Sequence, residues 1–344
     1  MSRSFELEPL LDQKFREKLL ALLNWREKEV YLVGFPDHPN VGDSAIWLST
    51  IAIFENLDIK ILGCIRENAF IGKRLLRKLG NDENLVFVYK GGGDLGGRYP
   101  HVESLIAQLL KSFPNSMHVI FPQSVELTDK SRLGEFLILT RERDNLFIFA
   151  RDRTSHDHLK DNGFNVFLTR DIVHQMKLTS SANDVQGVAL LMRNDPEKLV
   201  EIEYYSDEYW RMFDWPTETY KNKIRCKFVR ASQKFKGLRS SFLSSLISLE
   251  ATRKLASERL SRGIDRINTS NVVISDRLHG VLIAHLIGKK VYAIDNLNGK
   301  VHNYVESWRG QLESVVVLEE KGYENNLSEQ INVMKRISSN SMDL

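Results

Sequence analysis

The chain has 344 residues, of which 42% are hydrophobic and 27% charged, and its net charge is +3. That length favours two domains over one, and the near balance of charge argues against a dedicated nucleic-acid binder. Two distant cysteines, Cys64 and Cys226, exclude a disulfide framework and a Cys-x-x-Cys metal site, and they read as reduced thiols of a cytoplasmic protein. No run approaches the roughly 18 apolar residues that would span a bilayer, and Met1–Glu8 lacks the apolar stretch of a signal peptide.

Short apolar runs alternate with longer amphipathic ones along the chain. Strands are expected at Val30–Val33, Ile59–Ile65, Leu85–Tyr89, His118–Phe121, Leu146–Phe149 and Val166–Leu168. The pattern resumes at Val188–Met192, Ile224–Val229, Val272–Ile274, Val291–Ile294 and Val315–Leu318. Helical spacing is seen at Leu75–Leu79, Glu103–Lys111, Glu250–Arg266 and Val281–Gly288. The alternation implies an α/β fold, with parallel sheets covered by helices on both faces. The polar stretch Thr179–Asp184 is the expected linker between two domains, residues 1–182 and 183–344. Two such domains facing a cleft would form the usual place for a small-molecule site.

The loops just past the strands carry the candidate chemistry, because open α/β sheets bind ligands outside the carboxyl ends of their strands. After the first strand, Gly34–Ile46 is turn-rich, and Asp43 or Ser44 is expected to cap the following helix. Lys90–Gly97 contains Gly91, Gly92 and Gly93, which allow close backbone approach to a ligand, although no Walker A spacing follows. Gln123 and Ser124, then Arg151, Asp152 and Ser155, then Arg170 and Asp171, also follow strands. For these arginines an internal ion pair is the simpler expectation. Arg193 and Arg277 end two strands of the second half; they could clamp a dianion by bidentate hydrogen bonds or stand as a pair of surface arginines. His279 follows Arg277 in Ser275-Asp276-Arg277-Leu278-His279-Gly280 and can give or take a proton near neutral pH. His174 and His285 read as structural, and no His, Asp or Glu spacing matches a metal site. Residues 221–239 carry eight basic side chains and no acidic one, either as a solvated face or as a surface for anionic headgroups.

Taken in order, several motifs resemble the polysaccharide pyruvyl transferases. They are Asn40-Val41-Gly42-Asp43, the Gly91–Gly93 run, Phe121-Pro122-Gln123-Ser124, Ala150-Arg151-Asp152 with Ser155, Asp171, and Asp276-Arg277-Leu278-His279-Gly280. Asp295 and Lys300 fit a downstream segment, so the resemblance covers roughly residues 28 to 310. Two departures stand out: Asp94-Leu95 follows the glycines, and Asp276 stands where the family more often has Thr or Ser.

The resemblance implies two Rossmann-like domains in a GT-B-like arrangement, with the acceptor side in the first and the donor side in the second. It implies a phosphoenolpyruvate donor, a saccharide acceptor in an exopolysaccharide or cell-wall polymer precursor, a pyruvate ketal product and released phosphate. In that chemistry His279 is the expected acid, Arg193 and Arg277 grip the donor, and Asp43 or Asp152 takes a hydroxyl proton. Asn40, Gly42, Gly91, Gly92, Gly93, Gln123, Ser124, Arg151, Ser155 and Lys300 are the expected further substrate contacts. Neither a metal nor a cofactor is required. The acceptor could be free or lipid-linked, with residues 221–239 giving peripheral contact at the inner face of the membrane. Two rivals share these features: a glycosyltransferase using a nucleotide sugar, and a catalytically silent scaffold that binds polysaccharide or lipid.

Overall fold

Runs of Val, Ile, Leu and Phe form parallel strands where both faces of a sheet are covered, and the computed structural model shows this twice. It describes residues 5–23, 29–69, 84–96, 99–125, 140, 143–180, 186–195, 197–198, 209–235 and 241–318. The helical pattern at Leu75–Leu79, most of the Thr179–Asp184 linker and the end of the basic run lie outside these residues.

The first sheet is built from β2 (Glu29–Phe35), β3 (Ile61–Arg66), β4 (Leu85–Tyr89), β5 (Gly92–Leu95), β6 (Met117–Val125), β7 (Leu146–Ala150) and β8 (Val166–Leu168). Its order is β3-β2-β4-β6-β7-β8, with β5 added on β6, and every pair is parallel. Helices α2 (Val41–Asn56), α3 (Pro100–Ser112) and α4 (Arg153–Asp161) connect these strands. All five residues of β4 are buried, as a central strand with both faces covered requires. A short antiparallel ribbon joins β1 (Phe5–Pro9) to β9 (Met176–Ser180). Helix α1 (Gln13–Leu23) inserts Phe15 edge-on against Phe121 and Phe149, at centroid distances of 5.9 and 5.0 Å.

The second sheet has the order β11-β10-β12-β13-β14, again all parallel. Its strands are β10 (Val188–Leu191), β11 (Trp210–Phe213), β12 (Val272–Ser275), β13 (Lys290–Ala293) and β14 (Val315–Val317). Here α7 (Leu278–Leu286) and α8 (Lys300–Trp308) are the connecting helices.

Both sheets reverse direction once. The chain runs outward from β2 to β3, then crosses back to β4; it runs outward from β10 to β11, then crosses back to β12. Such a switch point leaves a crevice outside the carboxyl ends of the two strands that flank it. The loops there are Gly34–Asn40 and Lys90–Gly91 in one sheet, and Met192–Asp195 and Asp276–Arg277 in the other.

The chain divides into two compact units, residues 1–181 with 215–266, and residues 182–214 with 267–344. The segment 215–266, grouped with the second half in the sequence reading, therefore packs with the first sheet. It holds α5 (Tyr220–Phe235) and most of α6 (Ser241–Ile267). The strand expected at Ile224–Val229 is instead the middle of α5. Burial of Asn222 and Cys226 with exposure of Lys221, Lys223, Ile224 and Lys227 follows i, i+4 helical spacing. The strands β1, β5, β9 and β11 were not expected from the sequence; β1, β5 and β9 are too polar, charged or glycine-rich to stand out, and β11 is four residues long.

Helix α6 packs on α2 through a missing side chain. A Cβ on Gly263 would lie 2.4 Å from Val41 Cγ1 and 3.2 Å from Val41 Cβ, and Val41 is fully buried. Gly263→Ala should therefore lower stability by about 1–3 kcal/mol, because the overpacking outweighs alanine's better helix propensity. Urea denaturation checks this; a stabilised variant would mean that Val41 has room to move.

Candidate active site

At the switch point of the first sheet, backbone geometry brings charge into a crevice. Asn40 caps α2, accepting from Gly42 N at 2.8 Å and Asp43 N at 3.3 Å. The expected caps, Asp43 and Ser44, fall inside the first turn because the helix begins at Val41. Asp43 is thus free to reach Lys90, whose Nζ lies 2.7 Å from Asp43 and 2.9 Å from Asp94. His38 Nε2 sits 3.4 Å from Glu67 and 3.7 Å from Asp43. Burial alone would lower the Lys90 pKa, but Asp43, Asp94 and Glu67 together raise it, so the ammonium stays charged. Burial likewise works against a charged His38, and the Glu67 and Asp43 carboxylates reverse it, raising the imidazole. Arg259 of α6 fixes the loop from outside, donating to Pro36 O at 3.0 Å and to Glu218 at 2.6 and 3.0 Å.

The glycines have local reasons. A Cβ on Gly91 would meet Pro122 O at 2.7 Å, and Gly92 has φ +134°, so both are required for the backbone to turn back onto β6. Gln123 ties this turn down, donating to Lys90 O at 2.9 Å and accepting from Asp94 N at 3.1 Å. A small, mainly apolar cavity lies beside it, lined by Val102, Leu105 and Ile106 as well as by Glu67, Lys90 and Gln123.

The next group of expected site residues forms a buried network. Ser124 donates to Asp152 at 2.6 Å and accepts from Arg151 Nε at 2.8 Å. Arg151 pairs with Asp171 at 2.8 Å, the internal ion pair expected of it, though with a partner 20 residues on. The other Asp152 oxygen caps α4 through Ser155 N at 2.8 Å, and Ser155 Oγ accepts from Val125 N at 2.9 Å. Arg151, Asp152 and Ser155 are each at most 3% exposed. The network holds β6, β7 and α4 together, and Asp152 has both oxygens engaged.

The switch point of the second sheet brings Arg193, Arg277 and the His279 turn to one edge. Ser275 Oγ donates to Leu191 O at 2.8 Å and accepts from Arg277 N at 3.1 Å, which locks the β12–α7 turn to β10. A Cβ on Gly280 would lie 2.6 Å from Ser275 Oγ and 2.7 Å from Leu191, so only glycine lets the first turn of α7 press onto these strands. Across the crevice, Arg193 N donates to Asp276 at 2.9 Å. His279 follows in the first turn, half-buried.

Both arginines are held by carboxylates. Arg193 forks onto Asp195 at 2.9 and 3.0 Å and reaches Glu197 at 2.7 Å. Arg277 forks onto Asp214 at 2.6 and 2.7 Å and touches Asp195 at 3.2 Å. The two guanidiniums therefore converge on one carboxylate, Asp195. Lys300 lies 3.9 Å from Glu197 at the start of α8, with its N–H bonded to Asn296. Asp295 accepts from Val301 N and His302 N, capping that helix. His285 is bonded to Ser314 at 2.6 Å, a structural role as expected.

Asp276 is the strained member of this edge. It is 1% exposed, its Oδ2 has no hydrogen-bond partner among the described residues, and burial pushes its pKa up to about 6. A folded-state pKa above the unfolded value gives stability that is complete below about pH 4 and is lost as pH rises through about 6. Asp276→Asn should therefore stabilise the protein by about 1–2 kcal/mol at pH 7.5, with no gain near pH 4. Denaturation at the two pH values checks this; a less stable variant at pH 7.5 would mean that the arginines outweigh the burial.

The sequence reading missed Lys90, His38 and Glu67 in the first unit, and Asp195, Glu197 and Asp214 in the second. Lys90 had a signal, a cation directly after a buried strand; the carboxylate partners had none.

Known proteins resemble this chain. The chain is 27% identical to Pyruvyl transferase 1 of Schizosaccharomyces pombe, over 82% of this chain and 70% of the relative. It is 25% identical to EpsO of Bacillus subtilis, which carries a provisional pyruvyl transferase name, over 91% of this chain and 96% of EpsO. The crystal structure of a functionally uncharacterised Klebsiella pneumoniae protein matches its fold with a TM-score of 0.60 at 18% identity, covering 90% of this chain and 100% of that one. The sequence profile described as "Polysaccharide pyruvyl transferase" matches residues 40–298, from the cap of α2 to beyond His279. That span is most of the chain and takes in Lys90–Gly91 at the first switch point and both loops of the second: the chain belongs to the polysaccharide pyruvyl transferase family.

Proposed function

We propose that this transferase moves the pyruvyl group of phosphoenolpyruvate onto two hydroxyls of a saccharide in an exopolysaccharide or cell-wall polymer precursor, forming a cyclic ketal and releasing phosphate. The observation that carries the reading is the convergence of Arg193 and Arg277 on a single carboxylate, next to the turn that bears His279. Two guanidiniums within reach of one carboxylate are the groups that would take the carboxylate and phosphate of this donor once the side-chain carboxylates give way.

The chemistry follows from the donor. Its central carbon resists a hydroxyl until the methylene end takes a proton, and His279 is the acid in this reading. Protonation turns the methylene into a methyl and makes the central carbon electrophilic. The first hydroxyl adds there and gives up its proton; the second displaces phosphate, which leaves with the remaining proton. Each molecule of donor and diol thus yields one ketal and one hydrogen phosphate. For the hydroxyl proton the reading keeps two carboxylates, Asp152, with both oxygens engaged in the β6–β7–α4 network, and Asp43, paired with Lys90. Lys300, near Glu197, adds a third cation to the donor edge. The exposed Lys221, Lys223 and Lys227 of α5 support a lipid-linked acceptor, since each basic residue near an anionic surface contributes about 1 kcal/mol.

Incubation with a panel of simple and lipid-linked glycosides, and either phosphoenolpyruvate or a nucleotide sugar, tests the reading. Acceptor-dependent phosphate release from phosphoenolpyruvate is the expected result; release of nucleoside diphosphate from the nucleotide sugar would establish the glycosyltransferase instead.

A further inference from the structure

The arginine pair is already occupied. Asp195 lies between the two guanidiniums, and Asp214 takes the Nε–Nη2 fork of Arg277. These two carboxylates differ from the others at the edge. Their side chains are 34% and 30% exposed, against 8% for Glu197, and Asp276 is 1% exposed. Glu197 and Asp276 are thus sealed into the framework, one on Arg193 Nη1 and one on the Arg193 backbone, while Asp195 and Asp214 sit at the mouth.

We infer that Asp195 and Asp214 are internal competitors for the arginine pair and make the donor edge selective for ligands that carry two anionic groups. The inference rests on the pyruvyl-transfer reading, and it concerns what the site rejects. Two guanidiniums at a protein edge attract any anion, and inorganic phosphate, the proposed product, is one. With a carboxylate in each position, a ligand bearing one anionic group can displace one competitor and still faces the charge of the other. A ligand with a carboxylate and a phosphate on the same carbon replaces both at once. Selectivity of this kind is a difference of affinities built by repulsion against the wrong ligand. It also keeps the arginines paired when no ligand is bound, which avoids leaving half-buried cations without partners. Asp195 is suited to the role by its ionisation: burial works to raise its pKa, but its hydrogen bonds from Arg193 and the charge of that group lower it, so it competes as an anion throughout the neutral range.

Calorimetric titration of phosphoenolpyruvate, pyruvate and inorganic phosphate into the wild type, Asp195→Asn and Asp214→Asn tests the inference, with thermal unfolding as the check that each variant is folded. Inorganic phosphate and pyruvate should bind about 3- to 10-fold more tightly to either Asn variant, and the preference for phosphoenolpyruvate over phosphate should narrow. Asp195→Glu, which keeps the charge, should retain the wild-type preference. Unchanged or weaker phosphate and pyruvate binding in both Asn variants would overturn the inference, showing that the carboxylates orient the arginines instead. If an Asn variant does not fold, Asp195→Ser and Asp214→Ser are read by the same criteria. If phosphoenolpyruvate binds no form of the protein while phosphate affinity still rises in the variants, the donor reading falls and the competition stands.

Discussion

Replacing His279 with alanine should lower acceptor-dependent phosphate release by about 10²–10⁴-fold, the range for loss of a positioned general acid, while the affinity for phosphoenolpyruvate changes by no more than a few-fold. The two effects separate because the donor grip and the proton come from different side chains. Arg193 and Arg277 are positioned by Asp195, Glu197 and Asp214, and none of those contacts involves His279. The turn that carries the imidazole is set by Ser275 and by the close approach of Gly280, so alanine at 279 leaves the frame of α7 standing. His279→Gln sharpens the test, since it keeps a polar side chain of similar reach but offers no proton to carbon. A loss confined to donor affinity, with turnover at saturation intact, would move His279 from acid to binding residue.

Lys90→Met should cost about 3–5 kcal/mol at pH 7.5, the usual consequence of removing one partner from a buried ionic cluster. Lys90 is 5% exposed and lies within 3 Å of both Asp43 and Asp94, with Glu67 close enough to raise its pKa. Methionine fills the same volume, so the cost isolates the charge. Without the ammonium, three carboxylates face one another at the β2/β4 edge, with His38 beside two of them. Protonation relieves that repulsion, so the deficit should shrink as pH falls toward 5. Denaturant unfolding at the two pH values reads both effects. A cost below about 1 kcal/mol would mean that solvent screens the cluster as it does a surface pair.

How much of this was readable in the chain depended on whether the signal was local. The central strands announced themselves, because a strand covered on both faces is a continuous apolar run, as in Leu85–Tyr89, all of it buried. The ribbon strands did not: Phe5–Pro9 and Met176–Ser180 bury only alternate residues, and charged or polar side chains fill the rest. Gly92–Leu95 reads as a turn, since glycines dominate it, and only its pairing with β6 makes it a strand. At Ile224–Val229 two periods competed over six residues, too few for either to prevail until the flanking helix was visible.

The site followed the same rule. Arg193, Arg277 and His279 end strands or start helices, and strand ends at a sheet edge are legible positions. Their partners are long-range facts. Asp214 reaches Arg277 across 63 residues, and Asp43 reaches Lys90 across 47. Asp276 sits next to Arg277 in sequence, yet its contact is to the backbone of Arg193, 83 residues away. No spacing in the sequence encodes such pairs; the crossing-back of each sheet at its switch point creates them.

The position of phosphoenolpyruvate in a complex with this chain tests the central claim most directly. The account predicts the donor at the β10/β12 edge, its carboxylate and phosphate on Arg193 and Arg277, and its methylene carbon about 3–3.5 Å from an imidazole nitrogen of His279. A donor bound elsewhere, or bound there with the methylene turned out of reach of His279, would contradict it.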